Sequence, residues 1–161
     1  MTSFSPHRQG MLDRMMRTRE EANKKVVRDF FRAYEKQDLK EIEGLVNPDS
    51  AYHFPRGPER DHVFARRAER FFKAFTDIRI GVEDQIASED KVVSRARFSL
   101  KHRGEFLKIP ATGKEITSTF IQVDRVVKGK IVEQWFEYDL RSMLKQLGVA
   151  LSPKDRARQS D

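Results

Sequence analysis

The sequence predicts a cone-shaped α+β barrel, in which three N-terminal helices pack on a curved, mainly antiparallel sheet of four to six strands. Two observations predict this fold. Apolar residues recur at helical spacing up to about residue 75, and from residue 78 onward they alternate as in strands. Tight-turn signals then divide the second half into four strands, which is typical of a meander that wraps around the helices.

Start and stop signals define the helices of the first half. A capping-box pattern at Thr18 indicates that a helix over about 19–36 restarts or continues there. A second such pattern at Asp38 starts a shorter helix, which Pro48 stops. After a short extended segment, Pro58 suits the first turn of a third helix.

Turn residues define the strands of the second half. Ser88–Asp90 and Lys128–Gly129 lie where hairpin turns are needed, and the second is a strong tight-turn signal. A closing helix over 140–147 ends at Gly148, a residue that favours the C-terminal end of helices. The predicted strands are 78–87, 91–106, 115–127 and 130–138.

A chain of 161 residues is long enough for one domain with a substantial core. We expect this domain over 19–148, a partly helical N-terminal extension over 1–18 and a mobile basic tail over 149–161. The extension is too apolar for a free tail, so it is expected to pack on the domain or on a partner as a flap over a cavity. Its apolar residues are Met11, Leu12, Met15 and Met16.

Composition excludes several classes of protein. The chain contains no cysteine and no apolar run long enough to span a membrane, which fits a cytoplasmic protein without a disulfide framework. Its net charge of +7 invites a nucleic-acid interpretation, but acidic residues are interspersed and no recognition motif is present. The four histidines lack the spacing of a helical metal site, so neither a metal nor another cofactor is expected.

Four stretches carry a resemblance to a known family. They are VVRDFFRAYEKQDLKEIEGLVNPD, HRGEFLKIPATGKEIT, DRVVKGKIVEQW and DLRSMLKQLG, which together span about residues 23–148. They resemble the SnoaL-like polyketide cyclase and ester cyclase family, which has the nuclear transport factor two-like fold. That fold also hosts isomerases, dehydratases, hydrolases and non-catalytic binding proteins, so the resemblance alone does not define an activity.

The resemblance implies a changed catalytic centre. In the family's characterised cyclases, an Asp near the end of the last strand acts as acid and base, and that position is Phe136 here. A His of the preceding strand corresponds to Gln122, and neither replacement exchanges protons near neutral pH. Strand alternation places Glu133, Glu137 and Asp139 on the opposite face, so only a bulge would turn Glu137 inward. Asp139 is most simply the N-cap of the last helix.

Other positions match the family better. Tyr34 corresponds to an aromatic pocket position, and its hydroxyl is a candidate donor to a substrate carbonyl. His53 and His102 correspond to histidines common in the family, and His53 is the favoured proton-transfer residue because imidazole titrates near neutral pH. Phe120 and Trp135 are expected beside the ligand, with Trp135 serving also as a sheet anchor. The candidate catalytic residues are therefore His53, Tyr34 and His102, and the candidate substrate-binding residues are Gln122, Trp135, Phe136, Phe120 and Glu137.

These residues lead to three functional hypotheses. The first is a cofactor-independent cyclase, isomerase or dehydratase that uses acid/base chemistry on a small apolar carbonyl compound, such as a polyketide or terpenoid intermediate. The second is a non-catalytic ligand-binding protein, which the loss of the aligned Asp favours. The third is a dimerisation domain with a filled core. A homodimer through the outer face of the sheet is expected in each case.

Overall fold

The computed structural model describes residues 6–54 and 64–149, and it confirms the predicted α+β class. The elements in chain order are α1 Pro6–Glu35, α2 Leu39–Leu45, β1 Val46–His53, α3 Phe64–Ala74, β2 Phe75–Ser88, β3 Lys91–His102, β4 Glu115–Val127, β5 Lys130–Tyr138 and α4 Leu140–Leu147. The predictions for Pro58 and for a mobile tail beyond residue 149 lie outside the described residues.

The sheet contains five strands in the order β1-β5-β4-β3-β2. Strands β2 to β5 form the predicted antiparallel meander, and β1 joins β5 in parallel at one edge. The β4–β5 turn has positive φ angles of 50° at Lys128 and 73° at Gly129, as a two-residue hairpin turn of the primed type requires. The sheet is therefore wide and unclosed, with one face toward the helices.

Alternation along the strands separates the two faces of the sheet. On β3, the even-numbered residues from Val92 to Leu100 are buried on the face toward the helices, whereas Val93, Arg95 and Arg97 on the other face are exposed. Helix α1 covers part of this inner face with Val27 and Phe31. The helices do not cover it completely, and the remaining space is the cavity described below.

Helix α1 is continuous through Thr18, so the alternative of a restart is wrong. The Thr18 hydroxyl donates to the Arg14 carbonyl one turn earlier (2.9 Å) and does not cap a new helix. Residues 6–18 of the extension are helical, but the four apolar side chains are 40–61% exposed and are left largely uncovered by the described part of the chain. Packing on a partner stays a prediction. No helix within 6–54 or 64–149 is long and apolar enough to cross a membrane.

Strand β2 begins at Phe75, three residues earlier than predicted, and two further boundaries differ for reasons that the structure shows. The second helix ends at Leu45, and Pro48 lies within β1, which is an edge strand with irregular pairing and so tolerates proline. Strand β3 ends at His102, four residues early, because the N–H groups of Arg103 and Gly104 both donate to the Ala74 carbonyl (2.8 and 3.0 Å). These bonds turn the chain toward the end of α3.

Candidate functional site

A cavity of about 630 Å³ lies between the inner face of the sheet and the helices. Nine phenylalanines and three tyrosines make up more than half of its described lining. Cavities of this size, with mostly apolar walls and few polar groups, are typical of small-molecule sites. The aromatic walls favour a flat, apolar ligand.

Three polar side chains form a cluster on the sheet wall of the cavity, which we name the amide–carboxylate cluster: Gln122, Asp124 and Gln134. Gln122 and Asp124 are two residues apart on β4 and point to the same face, and Asp124 faces Gln134 across the β4–β5 pair. The Gln122 amide nitrogen donates to both Asp124 oxygens (2.8 and 3.0 Å), and the Gln134 amide nitrogen donates to one of them (2.8 Å). The two amides line the cavity, and Asp124 lies behind them, with 0% of its surface exposed.

Burial determines the electrostatics of this cluster. It raises the pKa of the Asp124 carboxyl from 3.8 to about 7, and the hydrogen bonds from Gln134 and Gln122 act in the opposite direction. Near neutral pH, Asp124 is therefore present in both protonated and ionised forms. A carboxyl with this property can act as an acid or as a base.

Three tyrosines belong to the described lining of the cavity. Burial raises the pKa of Tyr52 well above its ordinary value of 10, so it stays a neutral phenol. The Arg67 guanidinium lies 3.5 Å from the centre of the Tyr52 ring, as in a cation–π contact. Tyr34 lies among aromatic rings, with its ring centre 4.8 Å from that of Phe72. Tyr138 is the third tyrosine of the lining.

The loop between β3 and β4 forms part of the cavity rim. Phe106 pairs with Ile109 through two backbone hydrogen bonds (3.0 and 2.8 Å), and Leu107 and Lys108 between them have positive φ angles. Phe106 and Leu107 line the cavity together with Glu105. A compact turn thus holds Phe106 and Leu107 beside the ligand space.

The structure brings together only some of the predicted site residues. Tyr34, Phe120, Gln122 and Phe136 line the cavity. Phe120 and Phe136 do not fill it, which does not fit the hypothesis of a domain with a closed core. His53, His102, Trp135 and Glu137 are not part of its lining.

The predicted positions of His53 and Trp135 inside the cavity are wrong. Because β1 pairs in parallel with β5, His53 lies beside Trp135, and their rings stack on the outer face with centres 5.0 Å apart. His53 is 49% exposed and is hydrogen-bonded through Nε2 to Glu133 (2.9 Å). The hydrogen bond from His53 is the main cause that lowers the pKa of Glu133, and the ion pair with Arg125 lowers it further. Partial burial raises this pKa but does not outweigh them. This group is an exposed polar network.

His102 and the carboxylates of β5 also lie elsewhere. His102 is fully buried beside Phe75, and its Nδ1 accepts from the Thr112 backbone N–H (3.2 Å), which anchors the rim loop. Burial lowers the pKa of His102, so the ring stays neutral. Glu137 is exposed on the outer face, and no bulge at that position turns it inward. Asp139 caps α4 by accepting from the Ser142 N–H (2.8 Å), as predicted.

Two residues of the amide–carboxylate cluster were not predicted as site residues. Asp124 is two residues after Gln122 on the same strand, so the alternation that turns Gln122 inward also turns Asp124 inward. Gln134 is two residues before Phe136 on β5, so the alternation that turns Phe136 inward also turns Gln134 inward. A carboxylate at an inward position of a buried strand is itself an unusual signal, because burying a charge is costly.

Comparisons with known proteins agree with this fold. A profile of the SnoaL-like polyketide cyclase family matches residues 24–147. AclR from Streptomyces galilaeus, a candidate hydroxylase, is 27% identical over 80% of this chain and 97% of its own, with a TM-score of 0.72. IdmH from Streptomyces antibioticus, a candidate polyketide cyclase, is 28% identical over 79% of this chain and 99% of its own, with a TM-score of 0.66.

A more distant structure shows the fold alone. A SnoaL-like protein from Jannaschia sp. CCS1 is 19% identical over 94% of this chain and 100% of its own, with a TM-score of 0.68. The search of curated proteins returned no match.

Proposed function

Because the chain belongs to the SnoaL-like polyketide cyclase family, we propose that it is a cofactor-independent enzyme of the cyclase or isomerase type. Its substrate is a small, largely apolar carbonyl compound, such as a polyketide or terpenoid intermediate. The observation that carries this proposal is the buried carboxyl of Asp124 behind two amides that line an aromatic cavity. The description of IdmH as a candidate polyketide cyclase supports a role on compounds of this class.

The proposed chemistry is an enolisation or aldol closure in which Asp124 exchanges the proton. Ionised Asp124 removes a proton from the carbon beside the carbonyl, and the negative charge moves to the carbonyl oxygen. The neutral phenol of Tyr52, which belongs to the lining, is suited to donate to that oxygen. In an isomerisation, protonated Asp124 returns the proton to another carbon of the enolate. In an aldol closure, the enolate carbon attacks a second carbonyl of the substrate, and protonated Asp124 returns the proton to the alkoxide that forms. Gln122 and Gln134 separate Asp124 from the cavity, so this transfer requires one amide to rotate aside.

That separation favours a second candidate function. If the amides stay in place, the ligand contacts Gln122 and Gln134 and not a group that titrates near neutral pH. The protein would then bind and carry its ligand without converting it. The absence of the family's usual Asp, with Phe136 in its position, agrees with this alternative.

The test begins with a thermal-shift screen of small polyketide-like and terpenoid carbonyl compounds. Each compound that binds is then incubated with the wild type and with the Asp124→Asn and His53→Ala variants, and its conversion is followed. A positioned acid/base group contributes roughly 10²- to 10⁴-fold, so Asp124→Asn should lose that much turnover, whereas His53→Ala should lose none. Equal turnover by the wild type and Asp124→Asn would reject the catalytic role. Binding without turnover by the wild type would identify a carrier.

We also expect a homodimer through the outer face of the sheet. Ile86, Val93, Val123 and Trp135 are paired in register across β2 to β5 and form an apolar row on this face. Ile86 is 62% exposed in the single chain. Such a continuous apolar row is more common at interfaces than on free surfaces.

A further inference from the structure

We infer that the ligand of this cavity carries a hydroxyl group, phenolic or enolic, and that this hydroxyl donates a hydrogen bond to the side-chain carbonyl of Gln134. The inference rests on the proposed function because it takes the cavity to be the ligand site. It concerns which end of the Gln134 amide is available to the ligand.

Asp124 determines the orientation of the Gln134 amide. An ionised carboxylate accepts hydrogen bonds and cannot donate one, so the amide must turn its nitrogen toward Asp124. The observed contact is of this kind, with the Gln134 Nε2 atom 2.8 Å from Asp124 Oδ1. Gln122 directs its nitrogen to the same carboxylate and reinforces the acceptor character of Asp124. The carbonyl oxygen is thus the end of the Gln134 amide that remains for another partner.

That carbonyl oxygen has no hydrogen-bond partner among the described residues. Gln134 is 1% exposed, so bulk water does not solvate it, and a buried acceptor without a donor is unfavourable. Gln134 belongs to the cavity lining, so a donor group of a ligand bound in the cavity lies next to this side chain. A hydroxyl group on the ligand would supply the hydrogen-bond donor that this carbonyl oxygen lacks.

The neighbouring side chains make such a contact selective. Phe120, Phe136 and Tyr138 line the cavity with Gln134, and their rings pack against each other with centres 5.1–5.2 Å apart. A site with apolar walls and few polar groups discriminates strongly, because a ligand without the matching group leaves the protein group unpaired. A ligand that has only an ether or methyl group at this position should therefore bind more weakly, although it is more apolar.

The experiment compares three probes of nearly the same shape: 2-naphthol, 2-methoxynaphthalene and 2-methylnaphthalene. Dissociation constants are measured at pH 8 by the change in ring fluorescence, with the wild type and with Gln134→Met. Gln85→Met is the matched control, because Gln85 lies outside the cavity lining. We expect the wild type and the control to bind 2-naphthol about 3- to 10-fold more tightly than the other probes, and Gln134→Met to lose this preference.

A further variant keeps the test valid if Gln134→Met does not fold. In Asp124→Asn, the new amide can donate to the Gln134 carbonyl, so the preference for 2-naphthol should decrease. Equal affinity of the wild type for the three probes would overturn the inference and would indicate that the ligand only replaces a water molecule. An unchanged preference in Gln134→Met would also overturn it. If none of the probes binds, the cavity is not a site for flat apolar compounds, and the proposed function itself fails.

Discussion

Asp124 and Gln134 face each other directly across β4 and β5, and the Gln134 amide donates to the Asp124 carboxylate over 2.8 Å. Gln122 completes the cluster from the same strand as Asp124. The cluster is fully enclosed, yet it contains a group that titrates near neutral pH. Buried ionisable groups reduce stability when they are charged, so an enclosed carboxyl beside a cavity is a candidate functional group.

The first prediction concerns the pH dependence of stability. Asp124 ionises near pH 3.8 in the unfolded chain and near pH 7 in the native state, so the native state binds the proton more tightly. The stabilisation that this bound proton gives the native state is fully present below pH 3.8 and is lost as the pH rises through 7. Its loss lowers the free energy of unfolding by roughly 4 kcal/mol. The Asp124→Asn variant cannot ionise and should not show this loss.

The measurement is urea unfolding of both proteins at pH 4.5, 6 and 8. Asp29 and Glu133 have lowered pKa values and shift stability in the opposite direction, but they are present in both proteins and cancel in the difference. The stability of Asp124→Asn relative to the wild type should therefore increase from pH 4.5 to pH 8. A difference that does not vary with pH would show that Asp124 ionises normally in the native protein.

Alternation within a strand predicts which residues of β4 face the cavity, but it does not predict the position of His53 on β1. The inward direction of Phe120 and Gln122 follows from the period of two along β4, and the same rule applied to Asp124 would have revealed the amide–carboxylate cluster. The location of His53 could not be predicted in this way. Its face depends on the parallel register of β1 against β5, and a shift of one residue in register would reverse it.

The end of β3 depended on a contact that is distant in sequence. The pattern of alternation continues past His102, so it predicted a strand to residue 106. The N–H groups of Arg103 and Gly104 instead bind the carbonyl of Ala74, which is about 30 residues earlier in the chain. Local propensity contains no information about this contact.

The second prediction tests that contact. A Cβ atom added at Gly104 would lie 2.2 Å from the Lys73 carbonyl oxygen, which is a backbone atom and cannot rotate away. Gly104→Ala should therefore reduce the free energy of unfolding by roughly 1–3 kcal/mol, as overpacking does elsewhere. Gly81→Ala is the matched control, because nothing lies within 4 Å of a Cβ atom at Gly81. Similar denaturant midpoints for the two variants would contradict the close approach of the rim loop to α3.

The third prediction concerns the proposed dimer. Val93 lies within the apolar row on the outer face and is 38% exposed, whereas Leu12 on the N-terminal part of α1 is 40% exposed. Burying an unpaired Lys in an interface is costly, so Val93→Lys should weaken dimerisation by roughly 100-fold or more. Leu12→Lys introduces the same charge at nearly equal exposure on the other segment that is predicted to pack on a partner, and it should weaken the dimer less than Val93→Lys. Light scattering over a concentration series measures both. If only Leu12→Lys dissociates the dimer, then α1 forms the interface instead.

The fourth prediction concerns the position at which the family usually carries its acid. Phe136 lies opposite Gln122 across β4 and β5, and its ring packs against those of Phe54, Phe120 and Tyr138. Replacing it with Asp removes this packing and buries a carboxyl, so Phe136→Asp should reduce stability by roughly 3–5 kcal/mol at pH 8. Burial also raises the pKa of the new carboxyl, and the loss should be smaller at pH 5, where the group is neutral.

Phe136→Leu separates the loss of the ring from the effect of the carboxyl. Its stability loss should be smaller and should not change between pH 5 and pH 8, because leucine does not titrate. Urea unfolding at the two pH values gives both comparisons. If Phe136→Asp and Phe136→Leu show the same dependence on pH, then the new carboxyl is solvated and position 136 does not face an apolar cavity. If they differ as expected, Phe136→Asp places a second titratable group beside Gln122, and weak aldol activity on a bound carbonyl compound can then be tested directly.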